Sequence, residues 1–278
     1  MNQNFKILVA TDFSDNSKIA NQYALMIAHK LNINLCFIHA IYIDGTAENI
    51  LAQVQDLMKI EAERKMLKFL DEFTEHNKLT TKPQSTIRFG NISSVVVNYA
   101  KENDFDLIIT STKGASGLKK ALIGSNSADL INNGSMPVLI VPENYNKNYF
   151  INHIVYACDL NEAEHELGIA VAIARLFNAK VTALHINESQ EKSINIDLTE
   201  TEILWRKKMD YKKIEFEIQE NESVYLGVEQ FLHKHKCDLL AIYHQKRGLL
   251  KDLFGHSESK TFAYEAEIPL LVVPKNID

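Results

Sequence analysis

No run of 18 apolar residues occurs in the 278-residue chain, which excludes a membrane-spanning helix. Basic residues are not in excess. Lys and Arg number 30 against 36 Asp and Glu, for a formal net charge of -6. That balance excludes a nucleic-acid binder that works through a basic surface. Cysteine is scarce. Cys36, Cys158 and Cys237 are far apart and form no CxxC pair. They provide neither a disulfide framework nor a paired zinc site, and they suit a reducing compartment. The opening residues, Met1 to Lys6, show no basic stretch leading into an apolar core and a small-residue cleavage site. The expectation is a cytoplasmic protein. The P-loop GxxxxGK[ST] and the dinucleotide GxGxxG are also missing, so neither of those phosphate cradles is in use.

What is present is a repeat. Lys6 to Ser14 is an apolar run ending in Asp12 and a helix-start signal, and His153 to Asn161 has the same form around Asp159. Phe37-Ile38-His39-Ala40 is echoed by Ala183-Leu184-His185-Ile186, and Asp106-Leu107-Ile108-Ile109 by Asp238-Leu239-Leu240-Ala241. Gly117 and Gly124 have the spacing of Gly248 and Gly255, and Met136 to Pro142 matches Ile268 to Pro274. These landmarks come in the same order in each half, which marks a domain-sized tandem duplication. The length, about twice a typical domain of roughly 100–150 residues, agrees. The seam falls near Asn148, in an Asn-rich stretch that favours turns, giving domains over 1–146 and 149–278.

Ile7–Ala10, Leu35–Ile38, Leu107–Ile109 and Val138–Val141 are continuous apolar runs. That is the pattern of parallel strands covered on both faces. Helical patterns separate them. Ser17 to Leu31 has one apolar face, with Ser14, Asp15 and Ser17 as capping oxygens. Ala47 to Asn77, Ile92 to Asn103 and Ser125 to Asn133 follow, the last with Gly134 as its stop. The alternation predicts an α/β fold of two tandem doubly wound, five-stranded parallel sheets with helices on both faces.

Ligands of such sheets bind beyond the carboxyl ends of the strands, where strand order reverses. Asp12 lies past the first strand, and Ser111 to Gly114 past the fourth. If those strands are neighbours, the two segments flank one crevice. Gly124-Ser125 directly precedes a helix whose free N–H groups suit a phosphate, with Ser125 and Ser127 as further hydroxyl donors. The plainer alternative is that the glycines serve turns and Ser125 is an N-cap. Spacing does not choose between the two.

On these motifs the chain resembles a tandem universal stress protein, with one family domain per half. The resemblance implies flavodoxin-like or adenine nucleotide alpha hydrolase-like topology and ATP binding. The family's G-x2-G-x9-G-[ST] motif falls on Ser111, Gly114, Gly124 and Ser125, with Ser111 in place of the first glycine. By the resemblance, Asp12 contacts the adenosine part, the main chain of Ala40 faces the adenine, and Ser125, Asn126 and Ser127 lie at the phosphates. It also implies that the strand beginning at Pro137-Val138 is one that often pairs across a family dimer. The second half keeps Asp159, Gly248 and Gly255 but has Ile242 to Arg247 where Gly114 would fall, and His256 after Gly255. It resembles a degenerate copy, whose implied role is that of an intrachain pseudo-dimer partner.

Other signals have simpler explanations. His233, His235 and Cys237 contain zinc-type ligands, but residues two apart on a helix face different ways, and basic residues at a helix C-terminus complement its dipole. Glu162, Glu164, His165 and Glu166 complement a helix start. His39 and His185 read as buried, hydrogen-bonded side chains, because no Ser or Cys nucleophile is paired with them by any motif. Trp205 reads as a packing residue. The 47–77 helix reads as a solvated lid on the sheet, since its apolar positions do not sustain a heptad.

The functional expectation is a stress-response binding module. It holds ATP or a related adenine nucleotide in the first half, accompanied by Mg²⁺, with at most slow hydrolysis, since no general base or arginine finger is evident. Its alternative is a nucleotide-free stress protein acting on a protein partner through its surface. An adenylyl-transferring enzyme is the third and weakest reading, because no HxGH-type or Walker signature occurs. The expected assembly is the pseudo-dimer or a homodimer, with neither membrane nor nucleic acid as partner. Residues 1–146 carry 14 basic and 15 acidic side chains, and residues 147–278 carry 16 and 21. A polyanionic nucleotide therefore meets less repulsion in the first half.

Overall fold

The computed structural model describes residues 5–42, 48–112, 125–132, 135–145, 150–158, 163–188, 198–243 and 268–274, with the backbone alone at 48–53, 125 and 163–166. The chain divides into two compact units, Asn2–Glu143 and Asn144–Asp278. Each is considered by itself.

The N-terminal unit runs β1 (Ile7–Ala10), α1 (Asp15–Leu31), β2 (Leu35–Ile41), α2 (Glu48–His76), β3 (Gln84–Phe89), α3 (Ile92–Glu102), β4 (Leu107–Ser111), α4 (Ser125–Asn132) and β5 (Val138–Val141). Its five strands are all parallel in the order β3-β2-β1-β4-β5. Register is set by Ile7 opposite Leu35 on one side and Leu107 on the other. This is the doubly wound parallel arrangement that the strand–helix alternation predicts, with its reversal between β1 and β4. β3 extends the β2 edge, and α3 then carries the chain back to the far side of β1. Hydrophobic pattern does not encode which edge a strand joins.

Right-handed crossovers place α1 and α2 on one face of the sheet and α3 and α4 on the other, and α3 packs against α4. The central strands are sealed from both sides, with Ile7, Leu8, Val9, Ile108, Ile109 and Leu139 at 0% exposure. The helix ends follow local chemistry. Ser14 caps α1 by accepting from the Ser17 N–H, and Asn32 ends it in the left-handed region at φ 55°. Asn91 caps α3, its Oδ1 accepting from the Ser94 N–H at 3.2 Å.

The C-terminal unit repeats the plan with β6 (His153–Ala157), α5 (Ala163–Phe177), β7 (Lys180–Glu188), α6 (Leu198–Lys208), β8 (Ile214–Asn221), α7 (Val224–Lys234), β9 (Leu239–Tyr243) and β10 (Leu270–Val273). Its parallel order, β10-β9-β6-β7-β8, is the same arrangement. The repeated aspartates do the same work in both units. Asp106 accepts the Lys6 N–H at 2.7 Å, and Asp238 accepts the N–H groups of Asn152 and His153 at 2.8 and 3.0 Å. Each ties the start of the first strand of its unit to the start of the fourth. Trp205 of α6 is buried edge-on against Phe216 of β8, with centroids 4.4 Å apart.

Candidate functional site

The pairing of β1 with β4 creates the reversal point of the N-terminal unit, and a cleft of about 510 Å³, open mouth included, lies at the carboxyl ends of these strands. Its aliphatic lining comes from Ala10, Ile38 and Ala40 of the sheet and from Ile92, Val96 and Leu130 of α3 and α4. Its polar lining includes Asp12, Thr110, Ser111, Asn126 and Ser127. Five of the residues singled out from sequence thus meet in one place: Asp12, Ala40, Ser111, Asn126 and Ser127. Gly114 and Gly124, with the rest of 113–124, lie outside the described residues, as does the side chain of Ser125, whose backbone begins α4. Gly134, the seam at Asn148, Asp159, Gly248, Gly255 and His256 lie outside them too, as do Glu162 and the side chains of Glu164, His165 and Glu166.

Asp12 is half-buried, and its Oδ1 accepts from the Ser14 N–H at 3.1 Å and the Ser14 hydroxyl at 2.6 Å. The carboxylate is thereby set against the first turn of α1. Phe13, next in line, has a left-handed backbone at φ 64°, a strained conformation for a bulky residue that costs about 1–3 kcal/mol. Its ring packs on His39 with centroids 4.5 Å apart and on Phe69 of α2 at 6.0 Å. Ser111 is the last residue of β4, opposite Val141, rather than a loop residue past the strand. Its carbonyl accepts the Ser127 hydroxyl at 2.8 Å in a buried contact. The Ser127 hydroxyl thereby ties α4 to the end of β4.

His39 donates from Nδ1 to the Thr11 carbonyl at 2.8 Å, and burial holds its imidazole below the ordinary pKa despite that bond and the charge of Asp12. A carbonyl only accepts, so the neutral ring carries its proton on Nδ1. His185 repeats the contact with the Cys158 carbonyl at 3.2 Å. His185 is buried, whereas His39 is half-buried and lines the cleft. The possible zinc ligands part company. His233 lies 3.9 Å from Glu229, His235 stacks on Phe231 at 4.1 Å, and the buried Cys237 thiol donates to the Leu239 carbonyl at 3.2 Å. Among the described residues no group of three or more His, Cys, Asp or Glu is placed to hold a metal.

Sequence reasoning did not single out the aliphatic lining from α3 and α4. Ile92 and Val96 stand at i and i+4 on α3, a signal for a buried face, but their place in the cleft depends on α3 returning over β1 and β4. Thr11 was also missed, and no spacing marks it.

The universal stress protein family model matches residues 4–142 and 151–274. The chain belongs to the universal stress protein family. It is 28% identical to a universal stress protein of Methanocaldococcus jannaschii, over 49% of this chain and 81% of that one. A universal stress protein of Bacillus subtilis is 30% identical over 49% of this chain and 97% of its own length. A crystal structure of a universal stress protein from Archaeoglobus fulgidus superposes with a TM-score of 0.72, covers 98% of both chains and is 16% identical. It shares the fold of this tandem universal stress protein. No helix among the described residues is long and apolar enough to cross a membrane.

Proposed function

We propose that this universal stress protein is a nucleotide-binding module whose N-terminal unit holds ATP or a related adenine nucleotide in the β1/β4 cleft. The observation that carries the reading is the convergence of Asp12, Ala40, Ser111, Asn126 and Ser127 on one cleft whose lining is both aliphatic and polar. A flat apolar base suits the slot between Ala40 and the Ile92–Val96 face. The Asp12 carboxylate suits sugar hydroxyls. The N-terminus of α4 supplies backbone N–H groups and a positive dipole end for phosphates, extended by Gly114, Gly124 and Ser125 of the motif. Mg²⁺ would accompany those phosphates and share their charge. The Ser14 contacts hold Asp12 as an acceptor, which favours binding over proton abstraction, and hydrolysis is slow or absent.

Two family domains in one chain provide the covalent counterpart of a family dimer, free of the concentration dependence of association. Cys36, Cys158 and Cys237 are buried thiols, which suits the reducing cytoplasm. A second reading, a nucleotide-free protein that signals through its surface to a protein partner, is favoured by Ser111. Its side chain stands where the motif has glycine. Calorimetry of the full chain with ATP and Mg²⁺ separates the two. The nucleotide reading expects one site per chain, lost in Gly124→Asp. Absence of binding by the intact chain rejects it in favour of the second.

A further inference from the structure

The two units differ at the base slot itself, independently of the phosphate segment. Thr11 N–H donates to the Ile38 carbonyl and Cys158 N–H to the Leu184 carbonyl, while His39 and His185 make their matching contacts back. These four bonds align Ala10 with Ala157 and Ala40 with Ile186. In the N-terminal unit Ala10 and Ala40 are half-buried and line the cleft. In the C-terminal unit Ala157 is 1% and Ile186 is 2% exposed. The opposing helix has changed with them. α7 presents Gly227, and a Cβ placed there would lie 2.7 Å from Cδ1 and Cγ2 of Ile186. The Ile186 side chain therefore lies directly on the backbone of α7.

We infer that Ile186, seated against Gly227, closes the C-terminal counterpart of the cleft from within. The degenerate half is then shut at the base slot as well as altered at the phosphate segment. Ile186 is the residue that makes the tandem chain one-sited. That consequence for nucleotide stoichiometry rests on the reading proposed above. The closure itself does not.

Thiol labelling of the full chain tests it, with Cys36, Cys158 and Cys237 buried and serving as background. A maleimide dye is applied under native conditions to Ala10→Cys and to Ala157→Cys. The closed slot predicts labelling at position 157 at least about tenfold slower than at position 10, since access there requires local opening. Adding Ile186→Ala to Ala157→Cys should restore at least about tenfold of that rate. Equal rates in the two single variants, or no gain from Ile186→Ala, overturns the inference. Should Ala157→Cys fail to fold, the wedge is moved instead. Ala40→Ile on the Ala10→Cys background must slow labelling at least about tenfold, and an unchanged rate overturns the inference. Calorimetry of the unsubstituted chain with ATP reports on the nucleotide reading alone. Binding supports that reading, and its absence rejects it while the labelling rates still decide the closure.

Discussion

The Nδ1 atom of His39 lies 2.8 Å from the carbonyl oxygen of Thr11, so the imidazole ties the end of β2 to the end of β1 beside the cleft. Burial is the main reason its pKa falls below 6.5, and the same holds for His153, whose ring bridges the Lys236 carbonyl and the Thr182 hydroxyl at 2.8 Å each. The unfolded chain therefore takes up protons at both positions at a higher pH than the folded chain does. Stability is fully present above the unfolded value and is lost as pH falls through and below about 6.5. Urea midpoints should be lower at pH about 5.5 than at about 7.5, and His39→Gln should narrow the difference. A midpoint that rises on acidification would contradict this.

Asp238 accepts two backbone N–H groups through one carboxylate oxygen, and Asp106 does the corresponding work in the other unit. Hydrogen bonds to charged groups are worth about 1.5–3 kcal/mol, less where solvent competes. Asp238→Ala should lower the stability of the C-terminal unit by about 1–3 kcal/mol in urea unfolding. An unchanged transition would show that the carboxylate is dispensable.

Two helix glycines should respond with opposite signs. Gly227→Ala drives a methyl group into Ile186 and should destabilise by about 1–3 kcal/mol through overpacking. At Gly168, inside α5, an added Cβ meets nothing within 4 Å, so Gly168→Ala should stabilise by about 0.5–1 kcal/mol. Thermal melts of the pair check the signs, and a shift in the same direction for both contradicts the packing argument.

Ser127→Ala removes a buried hydrogen bond to the Ser111 carbonyl and should cost about 0.5–1.5 kcal/mol. Ser127→Thr keeps the donor and should recover most of that loss. If the tie also holds α4 in register for a ligand, calorimetry should show ATP affinity falling more than adenosine affinity in Ser127→Ala. Equal losses would limit the tie to stability.

Much of this fold was legible in the chain. Continuous apolar runs located β1 and β5 to the residue, because central parallel strands are covered on both faces. The same logic found β2 and β4 but stopped early, at Ile38 and Ile109. His39, Thr110 and Ser111 continue those strands with polar side chains at the ligand-facing end. β3 was expected only as a strand between two helices and not located, since Gln84–Phe89 is an exposed edge strand with a polar pattern. Asp12, Ala40, Ser111, Asn126 and Ser127, singled out from the sequence, line one cleft, although Ser111 ends β4 and Ala40 lies within β2. The aliphatic lining from α3 and α4 was not legible, because Ile92, Val96 and Leu130 look like any other buried helix face.

The sequence by itself determined the tandem repeat, the alternation of strand and helix and the family, since these follow from periodicity and from landmarks recurring in order. Only the tertiary structure decided the strand order, the commitment of the Ser127 hydroxyl to Ser111 and the seating of Ile186 on Gly227. Each of these depends on which surfaces come within van der Waals or hydrogen-bond range, and that distance is set by long-range packing rather than by neighbours in the chain.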